Sequence, residues 1–177
     1  LDAHEALRRK YPDLLLLLVP RHPERFAEVR SLAMRRGLRL VSRTDDKHCD
    51  AATDVFLGDT MGELPLFYAA SDIAFVGGSL VPIGGHNLLE PAALGLPVIT
   101  GPQVFNAQEI ADMFVELGAC RMVENADELA AAVDELLLNP ARATELGRKG
   151  REIVQRNRGA LDRLLGLLEP LISGRDF

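Results

Sequence analysis

Short apolar runs separated by longer stretches of helical period constrain the fold of this chain more than any other feature. The first run, Leu14–Val19 (LLLLLV), is six residues long. That suits a strand buried on both faces and falls far short of the roughly 20 residues a membrane-spanning helix needs. Pro20 stops it. From Pro23 to Arg36, Phe26, Val29 and Ala33 recur at three- and four-residue steps, predicting an amphipathic helix closed by Gly37. Further strands are expected at Leu38–Val41, Val55–Leu57, Ile73–Val76, Pro97–Thr100 and Cys120–Val123. Helices are expected at Asp2–Lys10, from near Gly62, at Leu88–Leu94 and at Ala107–Leu117, with a polar loop over Ser42–Ala52. The remainder reads as helix: Asp127–Leu138, Ala141–Arg156 and, after a break at Asn157–Gly159, Leu161–Leu171. This alternation predicts an α/β fold, a doubly wound Rossmann-like parallel sheet with a helical C-terminal tail.

At 177 residues and 47% hydrophobic content, one domain with a real core is expected, and wholesale disorder is excluded. Twenty Lys and Arg against 26 Asp and Glu leave a net charge of −6. A chain of that sign repels phosphate backbones, so no nucleic-acid partner is expected, although a local site for one phosphate is compatible with it. Cys49 and Cys120 lack any zinc-ligand spacing and read as two unpaired thiols. There is no basic-then-apolar leader pattern, and the chain opens on Leu1, which suggests a fragment of something longer.

In open parallel sheets, ligands bind beyond the carboxyl ends of the strands. Three such loops are unusual here. The most informative runs from Gly77 to Glu90 and places four glycines within nine residues, followed by His86, Asn87 and Glu90. Such density costs conformational entropy unless the backbone needs unusual dihedrals or close approach. Asn87 and Glu90 have the spacing of a helix-capping pair, which accounts for both structurally. They equally suit a ligand, with Ser79, Gly85, His86 and Asn87 at a phosphate or sugar and Glu90 accepting two ribose hydroxyls. The first loop sets Arg21 and His22 between a buried strand and a helix opened by Pro23. A cation there is favoured if an anion sits beside the helix start, while a solvated surface arginine is the plainer alternative. In the second loop, Gly58 to Glu63, Thr60 and Glu63 also have capping-box spacing, and Gly62 would let backbone amides meet a ligand.

Other clusters carry less. Asp45, Asp46, His48 and Cys49 match no metal-site spacing and read as a solvated loop. The basic residues between Arg142 and Arg158 are mixed with Glu145 and Glu152, as on a solvated helix face. No nucleophile elbow, Walker loop or carboxylate pair for acid/base work is present. The residues are better suited to holding a nucleotide than to reacting with one.

The tract GDTMGELPLFYAASDIAFVGGSLVPIGGHNLLEPAALGLPVITGP, with PRHPERF upstream, resembles the C-terminal half of 3-deoxy-D-manno-octulosonic acid (Kdo) transferases. These are inverting GT-B glycosyltransferases of lipopolysaccharide synthesis. The element Glu90 to Val98 is shared by many GT-B enzymes, whereas PRHPER, GDTMGEL and GGSLVxxGGHNxLEP together are specific. The similarity extends from about Pro12 to Leu171, through NRGALDRLLGLLEPL.

The resemblance implies that residues 1–177 form a donor-binding domain for CMP-Kdo or CMP, without cofactor or metal. By its motifs, Arg21 is expected near the nucleotide phosphate with His22 beside it. Met61, Gly62 and Glu63 are expected along cytidine and ribose, and Ser79, Gly85, His86, Asn87 and Glu90 at phosphate and ribose. It further implies that the domain's first strand lies outside this chain. The same holds for an N-terminal domain carrying the catalytic glutamate, the lipid A precursor site and the contact with the cytoplasmic face of the inner membrane. The chain by itself is then a soluble, inactive fragment. Two alternatives are another GT-B enzyme using a UDP- or GDP-sugar and a noncatalytic nucleotide-binding domain.

Overall fold

The structure, a computed structural model, describes residues 1–158. Its six three-residue strands are β1 (Leu16–Leu18), β2 (Leu40–Ser42), β3 (Val55–Leu57), β4 (Ala74–Val76), β5 (Val98–Thr100) and β6 (Cys120–Met122). Seven α-helices accompany them: α1 (Asp2–Arg8), α2 (Phe26–Arg35), α3 (Leu64–Ala69), α4 (Leu89–Ala93), α5 (Gln108–Glu116), α6 (Ala126–Leu138) and α7 (Pro140–Arg158). Every strand pair is parallel, so the fold is the doubly wound α/β class expected from the alternation. The strands hydrogen-bond as two triplets, β2-β3-β1 and β4-β5-β6. Among the described residues, β1 pairs with β3 alone and β4 with β5 alone.

Burial explains why the strands read as unbroken apolar runs. Val55 and Leu57 of β3 and Val98 and Ile99 of β5 have no exposed surface. Helices cover both halves. Val76, Leu88, Ala92, Phe114 and Ile153 form one core cluster between β4, α4, α5 and α7. There α7 approaches so closely that a Cβ on Gly147 would run into the Gly95 carbonyl. Ile99, Val123, Ala132, Leu136 and Leu146 form a second cluster under α6. The amino ends of the first triplet are tied by Asp54, which is 6% exposed. It accepts from the Arg39 amide at 2.6 Å and pairs with Arg8 of α1 at 2.7 Å.

The expected elements are present with shorter ends. α3 begins at Leu64 instead of Gly62, because Gly62 takes a left-handed φ of 82° that a helix cannot contain. Pro65 is then in its first turn, where the missing amide costs nothing. The segment expected as a plain loop contains a one-turn 3-10 helix, Arg43–Asp45, whose Asp45 carboxylate accepts the Ser42 amide at 3.0 Å. α7 runs through Arg158, past the break expected at Asn157. The helix expected at Leu161–Leu171 lies outside the described residues. No described helix is long and apolar enough to cross a membrane.

Candidate functional site

The loops after β1 and β3 leave the same edge of their parallel triplet, and Arg21 joins them to the loop after β4. Its Nη1 donates to Nδ1 of His86 at 3.4 Å. Accepting there requires an unprotonated Nδ1. Burial, followed by the charges of Arg21 and His22, holds the His86 imidazole below its ordinary range, with Glu90 pulling the other way. A neutral His86 beside a charged Arg21 follows. Arg21 itself is exposed and makes no ion pair among the described residues. His22 is exposed as well, with Nδ1 3.8 Å from Glu24.

The glycine-rich loop after β4 is held by its own backbone. Gly84 has a φ of 102°, and a Cβ there would strike the Asn106 side chain. Asn106 donates from its amide to the Gly84 carbonyl and from Nδ2 to the Ile83 carbonyl, each at 3.1 Å. The Gly85 amide donates to the Gly78 carbonyl at 2.9 Å, so it is engaged within the loop. Ser79, expected at the ligand, lies behind the loop with no exposed surface. Its hydroxyl donates to the Val76 carbonyl at 2.6 Å and accepts the Gly101 amide at 2.8 Å. Ser79 therefore braces the exits of β4 and β5, and any influence on a ligand is indirect.

Asn87 and Glu90 are exposed and adjacent. The expected capping pair takes another form. The Asn87 carbonyl oxygen accepts the Leu89 amide at 3.0 Å, and its Nδ2 donates to Glu90 Oε1 at 3.1 Å. Glu90 keeps lone pairs for a further donor. Tyr68 of α3 stands near it, its phenol pushed up to about 12 by burial and then by the Glu90 charge.

In the second loop Met61 is 63% exposed at the tip. Glu63 is engaged on both oxygens, by the Thr60 hydroxyl and by Arg43 Nη2 at 3.1 Å. Those two bonds, Thr60 the larger, hold its carboxyl below the usual range. Asp59 accepts from the Thr44 amide and hydroxyl at 3.0 and 2.6 Å. Arg43, Thr44 and Tyr68 were not singled out in the sequence. The Ser42-x-x-Asp45 spacing, inside the stretch expected as a polar loop, is the one sequence signal that could have found this turn.

Among the described residues nothing elsewhere competes for the role. A hollow of about 440 Å³ between Ser71, Leu94, Thr144 and Arg151 opens at the amino ends of β4 and β5. None of the candidate residues lines it. Asp45 is bound by the Ser42 amide and Arg30, and Cys49 is exposed. Burial pushes the Cys120 thiol up to about 11, which leaves it unreactive. Among the described residues no three His, Cys, Asp or Glu cluster as metal ligands would. The arrangement is one exposed cation, one neutral imidazole and two hydrogen-bonded carboxylates on a braced glycine loop. It is equipped to bind an anion and hydroxyl groups.

A parallel α/β domain with its polar residues gathered on loops at strand carboxyl ends is a ligand-binding domain of the doubly wound class. The chain belongs to the group 1 glycosyl transferases, whose family pattern matches residues 3–153. It is 51% identical over 98% of its length to the 3-deoxy-D-manno-octulosonic acid transferase of Haemophilus influenzae, covering 41% of that protein. The corresponding transferase of Bordetella pertussis is 38% identical over 96% of the chain, which covers 40% of it. The chain thus spans about two fifths of these curated relatives. Among solved structures it is similar to the C-terminal CMP-Kdo binding domain of WaaA from Acinetobacter baumannii. The TM-score is 0.83 at 37% identity, covering 87% of this chain and 80% of that one.

Proposed function

We propose that this chain is the donor-binding part of a Kdo transferase, holding CMP-Kdo while Kdo passes to a lipid A precursor in lipopolysaccharide synthesis. The observation that carries the reading is the Arg21–His86 contact. It gathers the PRHPER and GGHNxLE motifs into one polar site, in a chain similar to a CMP-Kdo binding domain. Arg21 receives the CMP phosphate and His86 fixes its guanidinium. Glu90 and Asn87, beside Tyr68, take ribose hydroxyls, while Met61, Gly62 and Glu63 border the nucleoside. His22, Ser79 and Gly85 contribute by neighbouring or bracing these groups.

In the transfer, an acceptor hydroxyl attacks the Kdo anomeric carbon, the bond to the phosphate oxygen breaks, and CMP leaves with the electron pair. A carboxylate takes the acceptor's proton. The charge developing on the phosphate is what Arg21 stabilises. We assign that carboxylate, the acceptor site and contact with the cytoplasmic face of the inner membrane to the part of the relatives that this chain does not match. The chain alone then binds CMP without transferring Kdo.

Calorimetric titration with CMP, UMP, UDP and GDP tests this. CMP is expected to bind best. Arg21→Ala removes a charge-assisted contact of about 1.5–3 kcal/mol, a tenfold to hundredfold loss of affinity, and Glu90→Ala a smaller one. No heat with CMP, or affinities untouched by both substitutions, would refute the proposal.

A further inference from the structure

The turn after β2 enters none of the ligand assignments above, yet it is fastened at several points. The Ser42 amide donates to Asp45 at 3.0 Å, and Arg30 clamps both oxygens of the same carboxylate at 3.0 and 2.8 Å. Thr44 is tied to Asp59 through its amide and its hydroxyl. Asp46 closes the turn in the left-handed region at φ 51°, which aspartate tolerates better than most non-glycine residues. Between these fastenings sits Arg43. Its side chain is 42% exposed, so the core has no need of it, and its Nη2 lies 3.1 Å from Glu63 Oε1. Thr60 bonds the other oxygen. Each carboxylate oxygen still has a lone pair for a ligand hydroxyl.

We propose that Arg43 is a positioning residue of the ligand site: from its fastened turn it holds the Glu63 carboxylate in one rotamer for a ribose hydroxyl. This rests on the reading that the site binds a cytidine nucleotide. Arg43 acts through Glu63 and does not itself touch the ligand. Asp59, the other carboxylate of that loop, is taken by Thr44, and Arg43 is the cation that meets Glu63.

The test is CMP calorimetry on the wild-type chain, Arg43→Ala, Arg43→Lys, Glu63→Gln and the double variant, with carbon NMR following the Glu63 carboxyl through pH. Arg43→Ala is expected to weaken CMP about two- to fivefold, the range of a single exposed ion pair. Arg43→Lys should restore binding, because one point charge serves one oxygen. In the Glu63→Gln background, Arg43→Ala should have no further effect. The Glu63 carboxyl should titrate higher in Arg43→Ala and return in Arg43→Lys. Unchanged CMP affinity in Arg43→Ala, an unchanged Glu63 titration, or an equal loss in both backgrounds each overturns the positioning role. A wild-type chain that binds no CMP overturns the nucleotide reading itself, and this role falls with it.

Discussion

Replacing Asp54 with alanine is expected to destabilise the chain by about 3 kcal/mol without touching ligand affinity. Three groups converge on its carboxylate: the Arg39 amide at 2.6 Å, Arg8 at 2.7 Å and Arg39 Nη2 at 3.4 Å. A hydrogen bond to a charged group, here from the Arg39 amide to a buried carboxylate, contributes about 1.5–3 kcal/mol. The Arg8 pair adds to this because Arg8 is 17% exposed, whereas Arg39 is 60% exposed and its pair adds less than about 1 kcal/mol. At about 2–4 °C per kcal/mol for a chain of this size, melting should fall by roughly 6–12 °C. The pH dependence is diagnostic. Burial works against ionisation of Asp54, but the Arg39 amide and the two guanidiniums outweigh it, holding the carboxyl below its ordinary range. A carboxylate with a lowered folded pKa stabilises fully above its unfolded value of about 3.9 and loses that contribution as pH falls below it. Urea unfolding at pH 7 and pH 3 should therefore show a large gap between wild type and Asp54→Ala that narrows in acid. Asp54→Asn, which keeps an acceptor for the amide, should lose about half as much. Asp54 precedes β3, at the opposite end from the ligand loops, so CMP affinity should stay within about twofold. A loss under about 1 kcal/mol at pH 7, or a gap that does not narrow in acid, would refute the reasoning.

His4 donates from Nε2 to the Leu14 carbonyl at 3.2 Å and leaves Nδ1 buried without a partner. Burial first, then Arg8 and the amino terminus, lowers its pKa against the opposing pull of the Leu14 hydrogen bond and, less, of Asp54. Stability should thus decline as pH falls below about 6.5, and urea midpoints across pH 5–8 should show a flatter slope in His4→Leu. Ser79→Ala strands the Gly101 amide and removes the donor to the Val76 carbonyl, both buried. A loss of about 1–3 kcal/mol in urea unfolding is expected, with weaker CMP binding as the glycine loop loosens. Gly147→Ala gains helix propensity of about 1 kcal/mol but drives a methyl into the Gly95 carbonyl. Its melting temperature should fall by several degrees.

The candidate site was legible to different depths. Arg21 and His86 stood out separately, as an arginine after a buried strand and a histidine after paired glycines. That they touch is a matter of how the two triplets sit. Capping spacings misled in two places: Thr60–Glu63 and Asn87–Glu90 pair through their side chains because their helices begin later, at Leu64 and Leu89. At the same i, i+3 spacing the Ser42 amide does meet the Asp45 carboxylate, and the Asn125 side chain does accept the Glu128 amide. A three-residue spacing records only that two side chains can meet, while the helix start decides which backbone groups need them. Ser79 looked like a loop residue because serine among glycines suits a ligand. Only packing against Gly101 shows that its hydroxyl is consumed inside.

The chain's own order of residues determined the parallel α/β class, since alternating apolar runs and amphipathic stretches bury both faces of a sheet in no other simple way. Its motifs determined which loops would carry the site. The tertiary structure alone decided that six strands pair as two triplets, that Ser79 braces the loop, and that Arg43 reaches Glu63 from a turn twenty residues earlier. The physical reason is range. Periodicity and turn chemistry act over a few neighbouring residues, whereas ion pairs and buried hydrogen bonds join residues that only the folded backbone brings within 3 Å or so.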